Sequence, residues 1–167
     1  MTPTKITFDT PKNSISSFFG MAYLLCEGNL YPVNTPLQIF KGNKSYTFCL
    51  ACDKKAEKIW IATQNTPISI LSSVVESIYN LMQDTLPELQ MDMNLILISD
   101  VDSAKISKLN QELAKYNTTV TAFKTIGAAH KYLTKNIPAH NHPYSETVEA
   151  CWDYINTLIE YLNTQEQ

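Results

Sequence analysis

The chain has 167 residues, 44% of them apolar and 17% charged, which is material for one packed domain and excludes a disordered or fibrous polymer. Net charge is −3, and all 13 basic residues are lysine. Without an arginine fork, a protein built mainly to grip phosphate is disfavoured.

Residues 5–8 read as a short strand that breaks at Pro11. Asn13 or Ser14 caps a helix toward Glu27, with Ile15, Phe18, Phe19, Ala22 and Cys26 at helical spacing and Gly28 as its stop. Pro32 and Pro36 mark the next segment as a loop or an edge approach. Residues 37–41 and 44–52 flank Gly42-Asn43, and a leading glycine suits the type II′ turn of a tight hairpin. A second turn over 53–57 leads to a strand at 58–63, where Ile59 and Ile61 alternate with Trp60 and Ala62. Together these predict a three-stranded antiparallel meander.

Thr66-Pro67 opens the clearest helix: threonine caps the free amides, and proline needs no donor at the first helical position. Leu71, Val74 or Val75, Ile78 and Met82 form its inner stripe, and Pro87 ends it. Residues 95–98 are a continuous apolar run, as expected of a strand covered on both faces. Asp102 or Ser103 caps a helix through Ile106, Leu109, Leu113 and Tyr116. A strand at 119–123 follows, then a helix introduced by Thr125 through Ile126, Ala129 and Leu133. Such alternation signals a parallel layer. The expected fold is α/β, a single domain in which the meander is continued by parallel β-α-β units with helices on both faces.

The expected organisation is a core domain over residues 1–136, a linker over 137–144 containing Pro138 and Pro143, and an amphipathic helix over 145–167 packed on the core or on a partner. Val148, Trp152, Ile155, Ile159 and Leu162 recur along that helix in steps of three and four, and form the candidate interface stripe. From His140 onward there are five acids and no lysine, which leaves the preceding part 13 lysines against 11 acids.

The order from residue 14 (helix, three strands, helix, strand, helix, strand, helix) resembles the core of the restriction-endonuclease-like superfamily over roughly residues 14–135. The resemblance implies a cleft with Asp53 as the acid preceding the catalytic strand and Glu27 as the helical one. The strand that should carry the second acid and the lysine reads Ile59-Trp60-Ile61-Ala62-Thr63-Gln64 and has neither; Glu57-Lys58 lies just before it. A member that binds without cutting fits this departure, and Glu27, Asp53 and Glu57 are the candidate catalytic residues. Residues 120–133 also resemble the end of receiver and anti-sigma-antagonist domains, although those lack the meander.

Asp100 and Asp102 follow the most apolar strand, where α/β sheets place ligands, and are the ligand-binding candidates. A turn and a helix cap explain them equally. No glycine-rich phosphate loop accompanies them. Cys49 and Cys52 have half-site spacing, but residues three apart in a strand face opposite ways. His140 and His142 are loop histidines, and His130 a boundary residue of its helix. Tyr46, Phe48 and Trp60, among the lysines of the meander, are a candidate aromatic stacking face, and ordinary core packing explains Phe48 and Trp60 as well.

The expected function is a non-catalytic protein-interaction or regulatory domain, acting as a homodimer or a subunit of a small complex. A metal-dependent phosphodiester hydrolase with a degenerate motif is the alternative. No cofactor or resident metal is expected, and nucleic acid is a less favoured partner than protein. The first residues lack a signal-type apolar core and no run is long enough to span a bilayer, so a cytoplasmic protein with no membrane partner is expected.

Overall fold

The computed structural model describes residues 18–19, 31–33, 36–53, 57–85, 91–136 and 146–165. Its first strand, β1 (Tyr31–Pro32), lies opposite Cys52 and Ala51, and Val33 extends it by donating to the Leu50 carbonyl at 2.9 Å. β2 (Leu37–Lys41) pairs antiparallel with β3 (Lys44–Asp53), with Lys41 opposite Lys44. β1 and β2 thus share one edge of β3, where a proline's missing donor is tolerated. Between β2 and β3 the turn needs a positive φ first, and Gly42 supplies it at +64°.

β4 (Lys58–Gln64) returns antiparallel along the other side of β3 and completes the meander. Two crossovers follow. α1 (Ile68–Thr85) leads to β5 (Asp92–Ile98), parallel to β4. α2 (Ser103–Leu113) and a 3₁₀ turn (Ala114–Tyr116) lead to β6 (Thr118–Phe123), parallel to β5. α3 (Ile126–Asn136) and α4 (Glu146–Gln165) close the described chain. The sheet is mixed and six-stranded, in the order β1-β3-β4-β5-β6 with β2 beside β1 on β3. The expected α/β architecture is the observed one.

Alternation along the strands feeds two cores. Leu50, Ile59, Ile61 and Leu95 enter one, with Leu71, Val75 and Ile78 of α1, Leu109 and Leu113 of α2, and Trp152 and Ile155 of α4. Cys49, Ala51, Trp60, Ala62 and Ile96 enter the other, with Ala129 and Leu133 of α3 and with Phe18 and Phe19. Both crossover helices lie on one face, as same-handed crossovers stepping in one direction must.

Two local readings change. Thr66 turns its hydroxyl inward to the Thr63 hydroxyl at 2.6 Å, with the Gln64 carbonyl 3.2 Å away, so it does not serve as the expected cap of α1. The Pro67 carbonyl instead receives the amides of Ile70 and Leu71 at 3.0 and 3.1 Å. On α4, Val148, Trp152, Ile155 and Ile159 are at most 3% exposed and pack into their own chain's core. The side chain of Leu162 lies outside the described residues. So do the expected strand at 5–8, the helix over 14–27 apart from the buried, helical Phe18 and Phe19, and the linker at 137–144.

Asp102 does cap α2, accepting from Ala104 N at 3.1 Å. Thr125 caps α3 by accepting from Ala128 N at 3.1 Å. At the far edge, β6 would leave donors and acceptors open. Asn110 of α2 closes it: its Oδ1 accepts from Val120 N at 2.7 Å and its Nδ2 donates to Val120 O at 2.9 Å. This side chain does for Val120 what a further strand would do.

His130 of α3 is 3% exposed, stacks on Phe18 with centroids 4.2 Å apart, and lies 2.8 Å from the Phe18 carbonyl through Nε2. A carbonyl only accepts, so the neutral ring carries its proton on Nε2. Burial lowers the pKa from its usual 6.5, and the bond to Phe18 opposes that only in part.

Two outcomes follow from these contacts. Asn110→Ala is expected to lower unfolding free energy by about 1–3 kcal/mol in urea melts, because a half-buried strand amide and carbonyl lose their partners. For His130, a lowered native pKa means that the unfolded chain binds the proton more readily. Its contribution to stability is therefore complete above pH 6.5 and is lost as the pH falls below that value. Melts at about pH 7.5 and about pH 5.5 are expected to show a smaller pH-dependent loss in His130→Gln than in the parent. An identical loss in both would remove this role.

Candidate functional site

Among the described residues, an apolar-lined groove of about 640 Å³ lies between β2, α1 and α4. β2 contributes Leu37, Ile39, Phe40 and Lys41; α1 contributes Ile70, Val74, Ile78 and Leu81 with Ser69, Ser73 and Ser77; α4 contributes Ile155 and Ile159. The serines fall one turn apart on α1, and all three are exposed. Lys41 and Asp84 place one charge of each sign at the lining.

β2 is also an edge. It pairs with β3 on one side, and among the described residues no strand lies on the other. Phe40 on that edge is 51% exposed, one of two large hydrophobic side chains so exposed among the described residues; the other is Tyr154 of α4, at 46%. An apolar groove beside an open edge offers side-chain pockets and backbone hydrogen-bonding groups together, as peptide-binding and subunit surfaces do.

The candidate acids are placed differently. Asp53 ends β3, is 1% exposed, and stands opposite Lys58 on β4, which in turn stands beside Asp92 on β5. The register thus brings two carboxylates and one lysine to one level across three neighbouring strands. Glu57 is exposed in the turn before β4 with φ 58°, and Glu27 lies outside the described residues. Asp100 and Asp102 are both exposed, and Asp102 is engaged as a cap. Among the described residues, no group of three or more His, Cys, Asp or Glu side chains is placed to hold a metal ion.

Cys49 and Cys52 enter opposite cores, so the pair is neither a redox couple nor a half-site for zinc. Burial pushes the Cys49 thiol up to about 12 and raises that of Cys151, which keeps both protonated and unreactive. Phe48 and Trp60 likewise separate: Phe48 is 0% exposed in one core and Trp60 2% exposed in the other, so the expected stacking surface does not form. His130 is buried behind Phe18 and has no open approach as a base. His140 and His142 lie outside the described residues.

The groove residues were missed in the sequence because each reads as ordinary local structure. Leu37 and Ile39 look like the inward side of a strand. The one available signal was Phe40, a large aromatic on the outward alternation of a strand next to a turn. Among the described residues, no helix is long and apolar enough to cross a membrane. No protein-family model, curated protein or solved structure matches the chain, so the reading of function rests on the geometry alone.

Proposed function

We infer that the chain is a non-catalytic protein-interaction or regulatory domain that works as a homodimer or as a subunit of a small complex in the cytoplasm. The observation that carries this reading is the apolar groove joined to the edge of β2 that no described strand covers, with Phe40 exposed there. Burying that aromatic and the groove lining supplies a hydrophobic contribution, and the strand edge supplies register through main-chain hydrogen bonds. Cys49, Cys151 and His130, whose pKa values are shifted by burial, are buried and do not line the groove.

A second reading is metal-dependent phosphodiester hydrolysis with a degenerate motif, and it draws on the Asp53, Lys58 and Asp92 row. The two carboxylates stand on either side of Lys58, about 10 Å apart at the backbone, and each offers a hard cation an oxygen ligand of its own. If the row binds a cation, magnesium or manganese raises the melting temperature of the parent and not of an Asp53→Asn/Asp92→Asn variant. Equal shifts in both remove this reading.

The docking reading is tested by a photo-crosslinking residue at Ser77, inside the groove, with Lys131 on the outer side of α3 as control. The expected result is a discrete protein adduct from position 77 and none from position 131. Adducts at neither position, or the same adducts at both, would show that the groove is not a docking surface.

A further inference from the structure

Charge names an occupant for the groove, and the inference rests on the docking reading above. α4 carries Glu146, Glu149, Asp153 and Glu160 and no lysine along its whole length, and Glu146, Asp153 and Glu160 are exposed. The β2–β3 hairpin carries Lys41 and Lys44, both exposed, and has no acid from Leu37 to Cys52. The two elements frame the same groove, because Lys41 lines it together with Ile155 and Ile159 of α4. One surface therefore holds a basic element and an acidic element side by side.

We propose that this surface closes against a second copy of the chain, the lysine-bearing hairpin of each copy lying on the acidic outer side of α4 in the other. A surface with opposite charges on two neighbouring elements is self-complementary under a two-fold rotation: basic meets acidic twice, and each contact is made in both directions. Among the described residues, the two exposed large hydrophobic side chains belong to the same two elements, Phe40 to the basic one and Tyr154 to the acidic one. The charges select the two-fold axis that runs between the two elements over the one across them, which would set lysine against lysine; the apolar groove adds hydrophobic contact.

The test is association measured by sedimentation on four proteins. These are the parent, Lys41→Glu/Lys44→Glu, Asp153→Lys/Glu160→Lys, and one chain carrying all four changes; thermal melts confirm that each is folded. The parent is expected to dimerise, and more weakly as salt rises from about 0.05 M to about 0.5 M. Each double variant alone is expected to associate at least about ten-fold more weakly than the parent. An equimolar mixture of the two double variants restores both contacts, and so does the chain with all four changes. Double variants that dimerise as the parent does, or a mixture that gains nothing, would overturn the proposal. So would a parent that stays monomeric at about 200 µM. A monomeric parent that still crosslinks another protein through position 77 removes only the second copy as occupant, whereas one that captures nothing there removes the docking reading as well.

Discussion

Two-sided burial of β4 is the constraint on which the rest of the molecule depends. Ile59, Trp60, Ile61, Ala62 and Thr63 are all at most 2% exposed. The strand pairs antiparallel with β3 and parallel with β5, so it joins the meander to the crossover half of the sheet. Its alternation sends isoleucine to one core and tryptophan and alanine to the other, and neither helical layer can be removed without exposing it. Thr63 is the polar exception, and it is satisfied by donating to the Thr47 carbonyl at 2.8 Å.

The two ends of the sheet solve the edge problem differently. At β6, Asn110 occupies the amide and carbonyl of Val120 and stands in for a missing strand. At β2, α4 packs onto the strand and onto α1, and the exposed Ser69, Ser73 and Ser77 stand among the residues that line the groove left there. That groove lies next to an edge that no described strand covers. Edge strands are usually blunted by charge or twist. Here the lysines stand at the hairpin end, and the aromatic beside them stays exposed.

Much of the architecture was legible because it is local. The Gly42-Asn43 turn, the Asp102 and Thr125 caps, the inner stripe of α1 and the apolar run of β5 each follow from backbone chemistry within a few residues. The separation of Cys49 from Cys52 was equally readable, since strand alternation alone dictates it. Phe48 and Trp60 obey the same parity, twelve positions apart across a turn, yet only the pairing register shows that they fall on opposite faces. Thr66 marks the limit of cap rules: its hydroxyl found Thr63 in the strand before it, a contact that exists only because chain direction reverses into α1.

Residue order by itself determined an α/β chain with a meander, two crossovers and an amphipathic terminal helix, because periodicity, turn chemistry and capping act over a turn or two of chain. Only the tertiary structure decided which surface remained open. The α4 stripe docks on its own core, and its Ile155 and Ile159 line the groove together with Leu37, Ile39 and the serines of α1, which are unremarkable in sequence. The same holds for Asp53, Lys58 and Asp92, which share a level through strand register alone. Burial is a property of what packs above a residue, and segments distant in the chain supply it.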